Sequence, residues 1–151
     1  MLYGNDNRGI IQHAEQAKQI VRFTDLRFKD ITPTDIDCSV EVKNTGYIIC
    51  EFKYGSSRVP HGQYLCLKRM CDDFEAANKI SILLICEHQA EEGEDILAKD
   101  TIVREMYYQH KIYPQYAGMT LKEVWEKVIS KIYKEWKDEI TPDWLKEDES
   151  A

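Results

Sequence analysis

The sequence predicts an α/β protein in which helices flank a small mixed β-sheet. Residues 34–43 alternate between polar and apolar side chains, which indicates a half-buried strand. Residues 79–86 are almost continuously apolar, which is typical of a strand covered on both faces. Amphipathic helical patterns precede and follow these strand segments along the chain. At 151 residues the chain predicts one domain, over 1–145, followed by an acidic tail at 146–151.

Each predicted element has its own local signal. Apolar residues at helical spacing predict the three helices, and the last of them opens on Thr120 with Glu123 in the position of a capping box. Period-two alternation or apolar runs predict the strands, although Arg104 and Glu105 interrupt the final one. The predicted order is helix 7–21, short strand or loop 22–29, strand 34–43, strand 47–53, helix 63–77, strand 79–86, strand 101–108 and helix 120–136.

The first two full strands are predicted to form a hairpin that brings two carboxylates to one face. A three-residue loop at 44–46, with Gly46 at positive φ, sets Asp37 opposite Lys53. Asp37 and Glu51 then become diagonal neighbours, close enough to share an ion. A two-residue loop would place them on opposite faces, because a slip of one residue turns every side chain over.

Composition and charge narrow the class of protein. The chain is 43% hydrophobic and 31% charged, as in ordinary globular proteins, and no membrane span or signal peptide is evident. The five cysteines include no Cys-x-x-Cys spacing and predict buried free thiols in a reducing, cytoplasmic setting rather than a zinc site. The net charge of −7 argues against nonspecific nucleic-acid binding through a broad basic surface, but not against a local basic patch.

The hairpin carries residues suited to phosphodiester hydrolysis. Mg²⁺ or Mn²⁺ prefers oxygen ligands, and Asp37, Glu51 and the backbone carbonyl of Phe52 could supply them. Lys53 points to the same face as Glu51 and could position the attacking water or stabilise the transition state. Isolated carboxylates on a strand are usually only solvated, so the order and spacing of these residues carry the argument.

The segments Pro33-Thr34-Asp35-Ile36-Asp37 and Ile48-Ile49-Cys50-Glu51-Phe52-Lys53 resemble the PD-(D/E)XK nuclease superfamily, particularly its small phage-type and Holliday-junction-resolvase-like members. The resemblance spans roughly residues 10 to 90 and implies a restriction-endonuclease-like core. It implies that Asp37 and Glu51 are metal ligands and Lys53 the catalytic lysine. Gln63 matches a glutamine that many members place beside the site, and Glu15 matches an acidic residue that some supply from the first helix.

The sequence departs from the family pattern at the first motif. Thr34 separates Pro33 from Asp35, so the Pro-Asp pair is not intact, and two aspartates compete for one role. Spacing favours Asp37 as the ligand. Asp35 is the alternative ligand if a bulge shifts the pairing, or else a group that supports the ligands.

The function expected from these features is a Mg²⁺- or Mn²⁺-dependent nuclease acting on DNA. The predicted DNA contacts are Arg58, Lys68 and Arg69, which follow the catalytic strand directly. A homodimer is an open expectation, since a resolvase needs two copies to cut two strands symmetrically. The alternatives are a non-catalytic protein of the same fold, serving as a nucleic-acid-binding or structural subunit, and an unrelated α/β binding module.

Overall fold

The computed structural model describes Glu15 and residues 18–135, the last five as backbone only. The chain divides into two compact units, Met1–Thr34 and Asp35–Ala151. The predicted single domain over 1–145 therefore stays a prediction, and the predicted tail at 146–151 lies outside the described residues.

The first unit contributes little regular structure among its described residues. Glu15 is helical, but residues 19–21 are not, and the rest of the predicted helix 7–21 lies outside the described residues. The segment predicted as a short strand or loop is a loop, closed by paired backbone hydrogen bonds of 2.9 Å between Phe28 and Ile31.

The second unit contains a five-stranded mixed sheet with the order β1-β2-β3-β4-β5. The strands are β1 (Cys38–Val42), β2 (Gly46–Tyr54), β3 (Ile80–His88), β4 (Ile102–Tyr108) and β5 (Lys111–Ile112). Helix α1 (His61–Ala76) connects β2 to β3, and helix α2 (Leu121–Glu135) follows β5. Strands β2 and β3 are parallel and the other neighbours are antiparallel. The predicted α/β class with a small mixed sheet is confirmed.

The two helices cover opposite faces of the sheet, which explains the continuous apolar pattern of β3. On one face, Leu67 and Cys71 of α1 pack with Leu83 and Ile85. On the other face, α2 packs against a larger cluster that includes Ile48, Cys50, Ile82, Leu84, Cys86, Val124 and Val128. Each fully buried aliphatic side chain contributes about 1.5–3 kcal/mol, so this two-sided core holds β2 and β3 rigidly.

The helix ends follow from local hydrogen bonds and spacing. The predicted capping box of α2 is confirmed, because Thr120 N–H donates to the Glu123 carboxylate at 2.9 Å and Glu123 N–H donates to Thr120 Oγ1 at 3.2 Å. In α1, Gln63 shares the buried stripe of Leu67 and Cys71 at intervals of four residues. Neither described helix has the length and apolar character that a membrane crossing requires.

The hairpin differs from the predicted register by two residues. The unpaired loop is 43–45, and Gly46 lies within β2 opposite Val42. Positive φ falls on Lys43 and Asn44, as a type I′ turn requires, and not on Gly46. Gly46 is needed for a different reason: a Cβ there would lie 2.8 Å from the Ile80 carbonyl oxygen of the neighbouring strand. The shift is an even number of residues, so side chains keep their predicted faces.

Candidate functional site

Asp37 lies immediately before β1, in line with Glu51. The observed register extends to place these two residues opposite each other, because Cys38 pairs with Cys50. Asp37 is not itself part of the strand: its Oδ2 accepts a hydrogen bond of 2.8 Å from the backbone N–H of Phe52. A side-chain oxygen thus takes the N–H that a longer strand would have paired with a backbone carbonyl. This bond ends the ladder and fixes the Asp37 carboxylate beside β2.

Glu51 is a carboxylate in the interior of the protein. It is 1% exposed, on the sheet face that α1 covers. Its Oε1 lies 2.8 Å from Lys53 Nζ, whereas its Oε2 is buried without a hydrogen-bond partner among the described residues. Burial raises the pKa of Glu51, the negative charges of Asp37 and Asp35 raise it further, and the hydrogen bond from Lys53 opposes them. A buried carboxylate with an unpaired oxygen costs folding free energy, so its presence calls for a physical explanation.

Gln63 joins the acidic residues through its side-chain amide. Its Nε2 donates to Glu51 Oε1 at 2.9 Å. It also lies 3.4 Å from two acceptors of Asp35, the backbone carbonyl oxygen and the carboxylate Oδ1. Its Oε1 accepts from Lys53 Nζ at 3.4 Å. Gln63 is 9% exposed, so it is a buried connecting residue rather than a surface residue at a helix start. Gln63 therefore links Glu51, Lys53 and Asp35 in one hydrogen-bonded network, and Asp37 is held beside it by the N–H of Phe52.

The oxygen atoms present are of the type that Mg²⁺ or Mn²⁺ binds. Mg²⁺ usually takes one or two protein carboxylates and keeps several waters, and Asp37 and Glu51 are two adjacent carboxylates. The unpartnered Glu51 Oε2 is an oxygen without another role in the fold. Within the described part of the chain, no group of three or more His, Cys, Asp and Glu side chains has the arrangement of a metal site. Asp37 and Glu51 are the described carboxylates that could hold such an ion, with water supplying its remaining ligands.

The predicted DNA-contacting residues differ in their exposure and in the contacts that they make. Arg58 is exposed in the loop before α1. Lys68 is half-buried, and its Nζ lies 4.6 Å from the ring centre of Tyr107 and 5.2 Å from that of Tyr64, so cation–π contacts already engage it. Arg69 is exposed on the outer side of α1, two residues from the buried Leu67.

The remaining predicted site residue belongs to the first unit. Glu15 is exposed and lies 3.3 Å from Lys18 Nζ in a local ion pair. Its role as a further metal ligand stays a prediction.

Strand β4 holds the loop beside the site, a role that was not predicted from the sequence. A β-bulge in β4 sets Arg104 out of the regular pairing, and its guanidinium donates to the backbone carbonyls of Gly55 and Ser57, at 2.6 Å for the latter. These bonds hold the loop that leads from β2 into α1. The neighbouring Glu105 accepts a 2.7 Å hydrogen bond from the Tyr64 hydroxyl. The only signal in the sequence was the pair of charged residues inside an otherwise apolar strand.

The site combines the adjacent carboxylates of Asp37 and Glu51, the buried Gln63 amide that joins Glu51 to Asp35, and the Lys53 ammonium, which contacts Glu51 and Gln63. Comparison with known proteins adds no assignment to this geometry: no family model, curated protein or solved structure matches the chain.

Proposed function

We propose that this protein is a metal-dependent nuclease that hydrolyses phosphodiester bonds of DNA, with a site of the PD-(D/E)XK type. One observation carries the proposal: the interior carboxylate of Glu51 is ion-paired to Lys53, retains an unpartnered oxygen, and lies close enough to Asp37 for that negative charge to raise its pKa. A purely structural ion pair is better satisfied than this, because an unpaired buried oxygen costs about 1–3 kcal/mol.

The hairpin and α1 supply the support for the restriction-endonuclease-like part of the proposal. Parallel strands β2 and β3 are joined by α1, and the acidic residues lie on the face that α1 covers. Gln63 opens the buried stripe of α1 and reaches both Glu51 and Asp35. That arrangement agrees with the roles which the resemblance implies for these residues.

Each residue of the site has a separate role in the proposed hydrolysis. Asp37 and Glu51, with the carbonyl of Phe52, would hold Mg²⁺ or Mn²⁺, and a bound ion of this kind lowers the pKa of a water molecule and offsets charge on the phosphate. Lys53 Nζ presents a positive charge that stabilises the added negative charge on the phosphate oxygens as water attacks. Gln63 fixes the positions of the Lys53 and Glu51 side chains relative to each other, because its amide forms hydrogen bonds to both.

A thermal-shift and cleavage experiment tests the proposal. Mg²⁺ or Mn²⁺ should raise the Tm of the wild-type protein, because a site present only in the folded state stabilises that state. Glu51→Gln should lose the shift, whereas Lys122→Gln, an exposed change on α2, should keep it. Cleavage of single-stranded, duplex and branched DNA should require the metal and should be absent in Glu51→Gln.

The outcomes separate the proposal from its main alternative. DNA binding without cleavage under every metal condition would favour a non-catalytic nucleic-acid-binding or structural subunit. No metal-dependent shift and no DNA binding would favour an unrelated binding module in which the acidic hairpin has no ligand.

Affinity for DNA has to come from local contacts, because the net charge of the chain is −7. Of the three predicted contacts, Arg58 and Arg69 are exposed and available to phosphate, whereas Lys68 lies over two tyrosine rings. Replacing a residue that touches phosphate should weaken binding uniformly across sequences and lower the salt slope by about one. If Arg58→Gln and Arg69→Gln both leave the slope unchanged, the DNA lies on another surface.

A further inference from the structure

A cavity of about 440 Å³ lies near the acidic network, bordered by Tyr64 and Ile85 from the α1 side of the sheet and by the chain from Ile112 to Ala117. Its floor includes Ile85, the residue of β3 that pairs directly with Glu51. One wall includes Tyr64, the residue that follows Gln63 on α1. The cavity is therefore one strand away from the carboxylates, within the range of about 300–1,000 Å³ that is typical of small-ligand sites.

The walls of the cavity combine aromatic and apolar surface with a few polar groups. Tyr64 and Tyr113 are the aromatic residues, and Ile112 adds apolar surface. The hydrogen bond of Tyr64 to Glu105 Oε2, at 2.7 Å, fixes the position of that ring. Such surfaces suit a flat ring with N–H donors, which could lie against a tyrosine and face the Glu105 carboxylate.

The positive charges at the cavity differ in availability. Arg104 is engaged by two backbone carbonyls and by Glu87 at 3.4 Å. Arg58 is exposed at the cavity and has no ion-pair or hydrogen-bond partner among the described residues. Its guanidinium is free to hold a phosphate. A second cavity of similar size, beside Tyr54 and His88, is bordered by several glutamates that would repel a phosphate.

We propose that the cavity beside the acidic network binds one unstacked nucleotide, with its base against Tyr64 and Tyr113 and its phosphate at Arg58. This inference rests on the proposed nuclease function and specifies its substrate: DNA that carries unpaired nucleotides at the bond to be cut. Taking a base out of a duplex is least costly when the base is already unpaired. Continuous duplex DNA is accordingly the poorer ligand.

Binding measured without metal tests this inference separately from catalysis. Labelled duplexes of equal length, one continuous and one with a short unpaired bulge, are titrated with protein in the presence of a chelator. Fluorescence anisotropy then gives both affinities. Wild-type protein should bind the bulged DNA about tenfold more tightly, as expected for one base stacked on an aromatic side chain.

Two variants locate the preference in the cavity. Ala117 is exposed, lines the cavity and has a φ of −65°, so Ala117→Phe fills the space without backbone strain. This variant should lose the preference for bulged DNA. Arg58→Gln should weaken binding to bulged DNA about tenfold and binding to the continuous duplex much less. Lys122→Gln removes the same charge from α2, on the opposite face, and should retain wild-type affinities.

Equal affinity of wild-type protein for the two DNAs would overturn the inference, as would a folded Ala117→Phe protein that keeps the preference. If Ala117→Phe fails to fold, judged by its melting curve, Arg58→Gln decides: a loss no larger than that of Lys122→Gln overturns the inference. A preference that persists in a protein which never cleaves with Mg²⁺ or Mn²⁺ would refute the proposed catalysis and leave the nucleotide site standing.

Discussion

Replacing Lys53 with methionine should destabilise the metal-free protein strongly at neutral pH, because it leaves the interior carboxylate of Glu51 without its cationic partner. Methionine keeps most of the lysine stem, so packing changes little. The pair separated by 2.8 Å corresponds to roughly 6 kcal/mol of attraction at an effective dielectric constant of about 20, before desolvation is subtracted. Removing one member of a buried pair costs about 3–5 kcal/mol. Since Gln63 still donates to Glu51, we expect about 3 kcal/mol.

The sign of the pH dependence follows from the raised pKa of Glu51. A carboxyl group whose pKa is higher in the folded state stabilises that state below its ordinary value of 4.5, and the stabilisation is lost as the pH rises through the raised pKa. Lys53→Met removes the group that opposes this rise, so the loss becomes larger. The variant should therefore lose more stability, relative to wild type, at about pH 8 than at about pH 5.

Urea unfolding in a chelator at both pH values measures the effect. The double variant Glu51→Gln/Lys53→Met should recover most of the lost stability, because no charge is then buried. Lys122→Met is the matched control and should change the free energy of unfolding by less than about 0.5 kcal/mol. Equal destabilisation by Lys53→Met at both pH values would refute the reasoning, because the loss would then not depend on the charge of Glu51.

Three further predictions concern activity and thiol chemistry. Lys53→Ala should abolish most cleavage but keep metal binding, because an ammonium group is not a metal ligand. Glu51→Ala should lose both cleavage and metal binding, the latter measured by calorimetry. Near wild-type cleavage by Lys53→Ala would exclude Lys53 from catalysis. Asp37→Asn should abolish cleavage and Asp35→Asn leave a measurable fraction, and the reverse order would make Asp35 the ligand. A hydrogen bond from Cys50 lowers the pKa of the Cys38 thiol to about 7. An alkylating reagent should therefore label Cys38 before the other cysteines, at a rate that rises through about pH 7. A fast labelling phase that survives Cys38→Ser would contradict this prediction.

The sequence predicted most of the second unit because its signals are local. Alternation along β1, the apolar run of β3 and the capping box at Thr120 each depend on neighbours within a few residues, and the structure confirms them. The start of β1 was predicted too early. Where the strand begins depends on the hydrogen bond that the N–H of Phe52, fifteen residues further along the chain, donates to the Asp37 carboxylate. No period in the sequence encodes that contact.

The error at the turn has a similar origin. Gly46 was assigned to the turn because glycine favours positive φ, but the backbone of Ile80 in a strand far along the chain is what excludes a side chain there. Gln63 was expected beside the site only through the family resemblance, and its burial follows from the four-residue spacing that it shares with Leu67 and Cys71. Only the position of Glu51 beneath α1 makes a buried amide favourable, because each then satisfies the other.

The even shift of the hairpin register explains why the predicted constellation survives an incorrect pairing. A shift of two residues moves Asp37 from a diagonal position to one directly opposite Glu51 and leaves both on the face that α1 covers. A shift of one residue would have moved Asp37 to the face of α2, among the apolar side chains around Cys50. The parity of the strand, which alternation in the sequence fixes, therefore determines whether the two carboxylates can share a ligand. The register, which the turn at Lys43 and Asn44 fixes, determines only how closely they approach each other.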